Sequence, residues 1–349
     1  MNNNAPDVTI IIPVYRGNGI IERCLNAISL QETEYSMELI VVDDGSDDRT
    51  VQIVEEWIQR HTGTSEASWD ARLIKQPHRG PAAARNLGAR EARGAILLFT
   101  DADCEPCPDW VDNMMLPFQN SEICGAKGVY ETRQTNWVAR LVQVEYQEKY
   151  DRMQRFDSID FIDTYAAAFR RDVFLSLGGF DESFPTASVE DQEFSFRMAE
   201  RGYRMTFVPD ARVVHHHAAT LWRYAVKKFR IAYYKSYLLI RHPDRVKGDT
   251  HTPPSLVLQI PLTYALLALV VVAPFRLSAS LLIVPIAAAV LFCMIGTIRV
   301  CRRQAPTLIP RLPLVLVVRS LALGAGLVLG SIRFRLMGKA KSGEQLDKS

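Results

Sequence analysis

Two carboxylates one residue apart, Asp101 and Asp103, follow the apolar run Ile96-Leu97-Leu98-Phe99-Thr100. At the end of a buried strand such a pair can share a divalent ion, Mn²⁺ or Mg²⁺, which bridges two phosphates and neutralises a leaving diphosphate. A second acidic pair, Asp43-Asp44-Gly45-Ser46, ends another apolar run. A carboxylate there can accept from a base N–H or a ribose hydroxyl, and Gly45 permits close backbone approach. Ser46 or Asp48 can equally cap a helix starting at Arg49. His78-Arg79-Gly80-Pro81 leads into small residues that open a helix, whose N-terminus can face a phosphate. Arg85 on that helix can reach a diphosphate or pair with a carboxylate. Glu190 and Asp191 open a further helix. Asp191 is a candidate general base for an acceptor hydroxyl, although acids favour a helix N-terminus in any case. The run His215-His216-His217 offers imidazole as a further ligand suited to Mn²⁺, with His215 and His217 both candidates.

These residues need a scaffold. Residues 8–14, 38–44 and 95–101 are short apolar runs that suit strands buried on both faces of a parallel sheet. Helical patterns at 19–30, 49–60 and 82–92 lie between them, which predicts an α/β, mainly parallel, doubly wound sheet. In such sheets ligands sit outside the carboxyl ends of the strands, where the acidic clusters fall. Residues 136–153 read as an amphipathic helix, 190–201 as a helix ended by Gly202, and 203–209 as a strand.

The last third of the chain differs in composition. Of its 349 residues, none from 250 to 343 is Asp or Glu. Apolar stretches at 255–274, 277–298 and 312–332 are each near the roughly 20 residues that cross a bilayer. Arg319 interrupts the third, and the surrounding Leu and Val are expected to offset it. A basic, aromatic segment at 220–239 precedes them and predicts a helix in the membrane interface. It carries Trp222, Lys227, Lys228 and Arg230. Arg299, Arg302, Arg303 and Arg311 form one positive loop; Arg333, Arg335, Lys339 and Lys341 form a positive tail. Three full crossings would put these on opposite faces, against the positive-inside rule. Two crossings plus a re-entrant or interfacial segment would remove the conflict. The polar N-terminus has no secretory pattern, and six scattered cysteines suggest no disulfide framework. The expectation is a multi-pass protein of the inner membrane, with two or three crossings and a cytoplasmic catalytic domain. The domains would be residues 1–217, an interfacial region at 218–250, a transmembrane region at 251–335 and a polar tail at 336–349.

Taken in order, Ile11-Ile12-Pro13-Val14-Tyr15, Val41 to Ser46, Ala84-Arg85-Asn86, Phe99 to Asp103, Gly178-Gly179-Phe180-Asp181 and Glu190-Asp191 resemble the inverting GT-A glycosyltransferases of family 2. That resemblance implies a nucleotide-sugar donor, UDP first and GDP next, and a divalent metal. It implies that Pro13, Tyr15, Asp43, Asp44, Arg85 and Asp101 line the nucleotide site. It implies metal ligation by Asp101, Asp103 and one histidine, and catalysis by Asp191 with Glu190 beside it. Lys227, Lys228 and Arg230 would meet a diphosphate or the membrane interface, and Trp222 the acceptor. The Gln-x-x-Arg-Trp segment of processive synthases is absent; this chain has Leu221-Trp222-Arg223-Tyr224. Transfer of one sugar to a lipid or envelope glycan therefore fits better than polymer synthesis, and no nucleic-acid partner is expected. A nucleotidyltransferase and a non-enzymatic membrane scaffold are the alternatives.

Overall fold

Strand β1 (Val8–Val14) and strand β2 (Met37–Asp43) are buried at every position, as apolar runs covered on both faces should be. In the computed structural model, which describes residues 5–62, 69–184, 189–243 and 249–346, the chain divides into two compact units. Met1–Arg133 and Met153–His216 form the first; Gln134–Arg152 and His217–Ser349 form the second. After β1 come α1 (Ile21–Ser29), β2, α2 (Thr50–His61), β3 (Asp70–Lys75), α3 (Pro81–Glu91) and β4 (Ile96–Phe99). There follow β5 (Cys104–Pro106), α4 (Trp110–Met115), β6 (Ile123–Glu131), α5 (Trp137–Met153), β7 (Ala167–Arg170), α6 (Arg171–Ser176), α7 (Glu190–Glu200) and β8 (Arg204–His215). The rest is helical: α8 (Leu221–Arg241), α9 (Pro254–Val272), α10 (Leu277–Cys293), α11 (Ile295–Gln304) and α12 (Leu312–Leu346).

In the first unit the strands form one sheet in the order β3-β2-β1-β4-β7-β6-β8-β5. The half from β3 to β4 is parallel, as the sequence predicts. Beyond β4 the sheet is mixed: β7 runs antiparallel to β4 and β6, β8 is parallel to β6, and β5 is antiparallel to β8. Register sets the level of the site. Val14 lies opposite Asp43, and Ile11 opposite Phe99, so β1, β2 and β4 deliver their following loops to one edge. Phe99, Phe169, Phe174, Phe180 and Phe194 form an aromatic core with ring centroids from 4.8 to 6.4 Å apart. Each buried ring contributes roughly 1.5–3 kcal/mol, and together they fix α6 and α7 against the sheet. Asn86 supports the same region. Its amide donates to Phe180 O at 2.8 Å and accepts from Phe180 N at 2.8 Å, which clamps the Gly178-Gly179 turn onto α3. Gly179 has φ +69°, and a Cβ there would lie 2.4 Å from Asn86 Oδ1.

In the second unit, Pro254–Val272 and Pro306–Leu336 are helices long and apolar enough to cross a membrane. Among the described residues, a third span exists only if Ser278–Cys293 and Ile295–Gln304, bent by 49°, count as one. The apolar stretch at 277–298 is thus broken at Met294. α8 packs along α12 at a seam of small residues. A Cβ on Gly326 would lie 2.4 Å from Phe229 O, and one on Gly330 would lie 2.3 Å from Ser236 Oγ, the close approach that small residues permit between helices.

Arg319 corrects another expectation. Its charge is not offset by neighbouring Leu and Val. One guanidinium nitrogen donates to Glu145 Oε1 at 3.1 Å and another to Gln259 Oε1 at 2.6 Å. Lys228 lies 2.8 Å from the other oxygen of Glu145, and the Tyr224 hydroxyl donates to Glu145 at 2.5 Å. Lys228 is therefore a buried partner of Glu145 and not an ammonium presented to a diphosphate or headgroup. Burial raises the proton affinity of Glu145, but Lys228 and Arg319 outweigh it and bring its pKa down to about 2.

Candidate active site

The loops after β1, β2 and β4 gather polar side chains at the carboxyl edge of the sheet. Asp44 is buried and ties down the loop before α3. Its Oδ1 accepts from Arg79 N at 2.8 Å and from Gln76 Nε2 at 2.6 Å, and its Oδ2 accepts from Gly80 N at 2.9 Å. His78 Nδ1 is 2.9 Å from the same carboxylate. Asp43 turns back on its own loop, accepting from Gly45 N at 3.2 Å and Ser46 N at 3.1 Å, and leaves Oδ1 buried without a protein partner. Gly45 has φ +77°, and a Cβ on it would stand 2.8 Å from His78 N, so glycine is required there. Of the two capping candidates, Asp48 bonds Thr50 N at the start of α2, while Ser46 accepts from Arg16 N. Tyr15, 42% exposed, stacks on His78 with centroids 4.2 Å apart. Pro13 is buried within β1 opposite Val42.

The second turn of α3 carries Arg85, which is 3% exposed. Its Nη2 donates to Asp101 Oδ1 at 2.7 Å and its Nη1 to Glu190 Oε1 at 3.0 Å. Of the two roles open to it from sequence, carboxylate pairing is the one seen in the geometry. It links the end of β4 to the start of α7. Asp191, next to Glu190, is partly exposed. Burial, then Glu190 and Asp163, push its carboxyl well above the usual range, against the pull of Arg85.

A second cluster comes from strand pairing. Cys104 on β5 is opposite His215 on β8, which brings Asp103, Cys104 and His215 together with ligand atoms within 4.8 Å of one another. Asp103 Oδ2 lies 3.7 Å from His215 Nδ1, and the Cys104 sulfur 3.9 Å from the same nitrogen. His215 also stacks on Tyr130 at 4.4 Å. A carboxylate oxygen and an imidazole nitrogen suit a divalent ion such as Mn²⁺. Burial, then Asp101 and Asp103, raise the Cys104 thiol well above its ordinary range. Asp101 is held by Arg85 outside this cluster. His217 belongs to the second unit, where its Nε2 is 2.8 Å from Gln143 Oε1 and its ring stacks on Tyr146 at 5.5 Å. Lys227, Arg230 and Trp222 are exposed on α8 of that unit, Trp222 to 76%.

Sequence reasoning missed that Cys104 joins Asp103 and His215 in one cluster, and it missed a buried cation. Lys127 on β6 is fully buried and pairs with Asp163, with the Tyr165 hydroxyl 3.1 Å away. A lysine in the otherwise uncharged run Ile123-Cys124-Gly125-Ala126-Lys127-Gly128-Val129-Tyr130 was the available signal.

The glycosyl transferase family 2 model matches residues 9–178, and the glycosyl transferase family group 2 model matches residues 101–319, more than half of the chain. The glycosyltransferase AglE of Haloferax volcanii is 29% identical over 250 residues, covering 70% of this chain and 78% of AglE. The pre-mycofactocin glycosyltransferase of Mycobacterium tuberculosis is 27% identical over 248 residues, covering 68% of this chain and 49% of that protein. The chain thus spans about half the length of the latter relative. Among solved structures, the mannosyltransferase PcManGT of Pyrobaculum calidifontis, in complex with GDP-Man and Mn²⁺, is similar with a TM-score of 0.58 at 21% identity. That match covers 95% of this chain and 87% of PcManGT. The mixed sheet is a GT-A fold, and the nucleotidyltransferase and scaffold alternatives give way. The chain belongs to the family 2 glycosyltransferases and is a glycosyltransferase enzyme.

Proposed function

We propose that this glycosyltransferase moves a sugar from a nucleotide-sugar to a membrane-associated lipid or envelope glycan, with inversion at the anomeric carbon. The observation that carries this reading is the Asp101–Arg85–Glu190 bridge, which binds the strand end carrying the acidic pair to the helix carrying Asp191. The stacked Tyr15–His78 pair offers a flat face for a base, and the buried Asp43 Oδ1 is an acceptor in search of a donor. Asp103 and His215 would hold the divalent ion, Mn²⁺ or Mg²⁺. When bound, such an ion supplies charge neutralisation to the departing diphosphate. Asp191 would take the proton of the acceptor hydroxyl, and its raised proton affinity suits that task. Arg85 pairs with Glu190 and Asp101 and is spent on them, so its role toward the diphosphate is indirect.

The apolar helices favour membrane attachment, with the exposed cations and Trp222 of α8 suited to headgroups. If α9 and the bent pair each crossed, the stretch with Arg302, Arg303 and Arg311 would return to the cytoplasmic face with the catalytic unit, and the basic tail would join it there only if α12 were re-entrant or interfacial. UDP is the first nucleotide to try by family resemblance. GDP is the second, because PcManGT was solved with GDP-Man.

Titration calorimetry of the full chain with UDP, GDP, CDP and TDP, with and without Mn²⁺ or Mg²⁺, tests the donor class. One nucleotide should bind only with metal, and Asp103→Ala should abolish that binding. Metal-independent binding that survives in Asp103→Ala would remove the acidic pair from the donor site.

A further inference from the structure

Lys127 and Asp163 lie outside the groups assigned above, yet they border Asp191. The ammonium is fully buried, pairs with Asp163, lies 3.1 Å from the Tyr165 hydroxyl, and sits 4.7 Å and 5.4 Å from the ring centres of Tyr165 and Phe161. A buried cation is costly unless paired, and pairing could have been avoided by an apolar residue at this strand position. The segment that carries Asp163 is bolted to α7: Ile162 N donates to Ser195 Oγ at 3.0 Å, and Ser195 Oγ donates to Asp191 O at 2.7 Å. One hydroxyl thus fixes Asp163 against the first turn that bears Asp191. The charged groups facing Asp191 are Glu190 from α7, Arg85 from α3, Asp163 from the segment before β7, and Lys127 from β6.

We propose that the Lys127–Asp163 ion pair is a positioning unit for Asp191, holding the Asp163 carboxylate against the turn that bears it. The inference rests on the reading of Asp191 as the base. Lys127 does not touch substrate in this account. Its task is to hold the Asp163 carboxylate in place through the ion pair. Burial lowers the proton affinity of Lys127 itself, and Asp163 and then Asp191 work against that.

The test is the pH dependence of nucleoside-diphosphate release from a panel of UDP- and GDP-sugars with Mn²⁺, using the full chain. Asp163→Asn removes the negative neighbour and unmasks Lys127. Both changes lower the proton affinity of Asp191, so the acid limb of kcat/KM should move to lower pH by on the order of one unit. The plateau rate should fall, because the base is weaker. Since Asp163→Asn strands a buried ammonium and can fail to fold, the double variant Lys127→Met/Asp163→Asn carries the decision. It should show the same direction with a smaller shift and unchanged metal-dependent nucleotide binding. An acid limb identical in the double variant and the unaltered chain would overturn the inference. Asp191→Asn, run alongside, tests the underlying reading separately: full turnover in that variant would remove Asp191 as the base whatever the limb does.

Discussion

Two buried arginines illustrate the difference between a site and a strut. Arg85 in the first unit and Arg319 in the second are each nearly fully buried, and each bonds to acceptors from two other elements. Around Arg319 the charges are closed off. Glu145 receives Lys228, Arg319 and Tyr224, and every member of the group is buried or nearly so. Around Arg85 they are left open. Asp101 and Glu190 pair with Arg85, Asp163 pairs with Lys127, Asp191 lies beside them, and Asp101 remains 29% exposed. Asp103 nearby is 45% exposed. A surplus of carboxylates reaching solvent is unfavourable in the free protein and is relieved by a cation or a proton. A closed node needs neither. The first arrangement suits chemistry; the second suits holding apolar helices in register.

The largest expected effect that separates the two is on turnover. Asp191→Asn should lower nucleoside-diphosphate release by about 100-fold to 10,000-fold while the thermal unfolding midpoint stays put; equal loss of stability would make Asp191 a strut as well. Glu145→Gln should do the reverse. It leaves Lys228 and Arg319 buried without their shared anion, a change that costs about 3–5 kcal/mol, read as a lower unfolding midpoint in detergent. Stability retained in Glu145→Gln would mean that the node is solvated and the contrast false.

Next comes pH. The Glu145 carboxyl is depressed on folding, so its contribution is present above the ordinary glutamate range near 4.5 and is lost as pH falls from there toward about 2. Acid unfolding of the second unit should lose part of its steepness in that window in Glu145→Gln, and an unchanged curve would contradict the assignment. The smallest effect is at the nucleotide face. Tyr15→Ala removes one stacked ring and should weaken metal-dependent nucleotide binding by about 2-fold to 10-fold, measured by calorimetry. A loss beyond 100-fold would show that Tyr15 does more than stack.

The parallel half of the first unit was legible because β1, β2 and β4 are continuous apolar runs, a pattern set by burial on both faces. β3 was not, because Asp70-Ala71-Arg72-Leu73-Ile74-Lys75 is an edge strand with charged residues at both ends. β8 was read only to Pro209, since proline cannot donate to a ladder. The strand continues to His215 across an irregularity in its pairing with β6, where Lys127 is matched to Phe207 and Val129 to Arg212. That extension places His215 beside Asp103 and separates the roles of the histidines. The three-residue β5 has too little pattern to read. Asp44 and Asp101 were legible as residues at strand ends, and Arg85 and Asp191 as residues on helices. Their partners were not: that Arg85 bridges Asp101 to Glu190, or that Lys228 and Arg319 share Glu145, depends on side chains 16 to 174 positions apart. Met1–Asn4 and the last three residues of the polar tail lie outside the described residues, as do the side chains of Lys339 and Lys341.

The most direct test of the account measures two variants side by side. Purified full-length Asp191→Asn and Glu145→Gln are each assayed for metal-dependent nucleoside-diphosphate release from a nucleotide-sugar panel and for thermal unfolding. The account predicts a folded, inactive Asp191→Asn and a destabilised Glu145→Gln whose folded fraction still turns over. An active Asp191→Asn, or a stable but inactive Glu145→Gln, would place the chemistry elsewhere in the molecule.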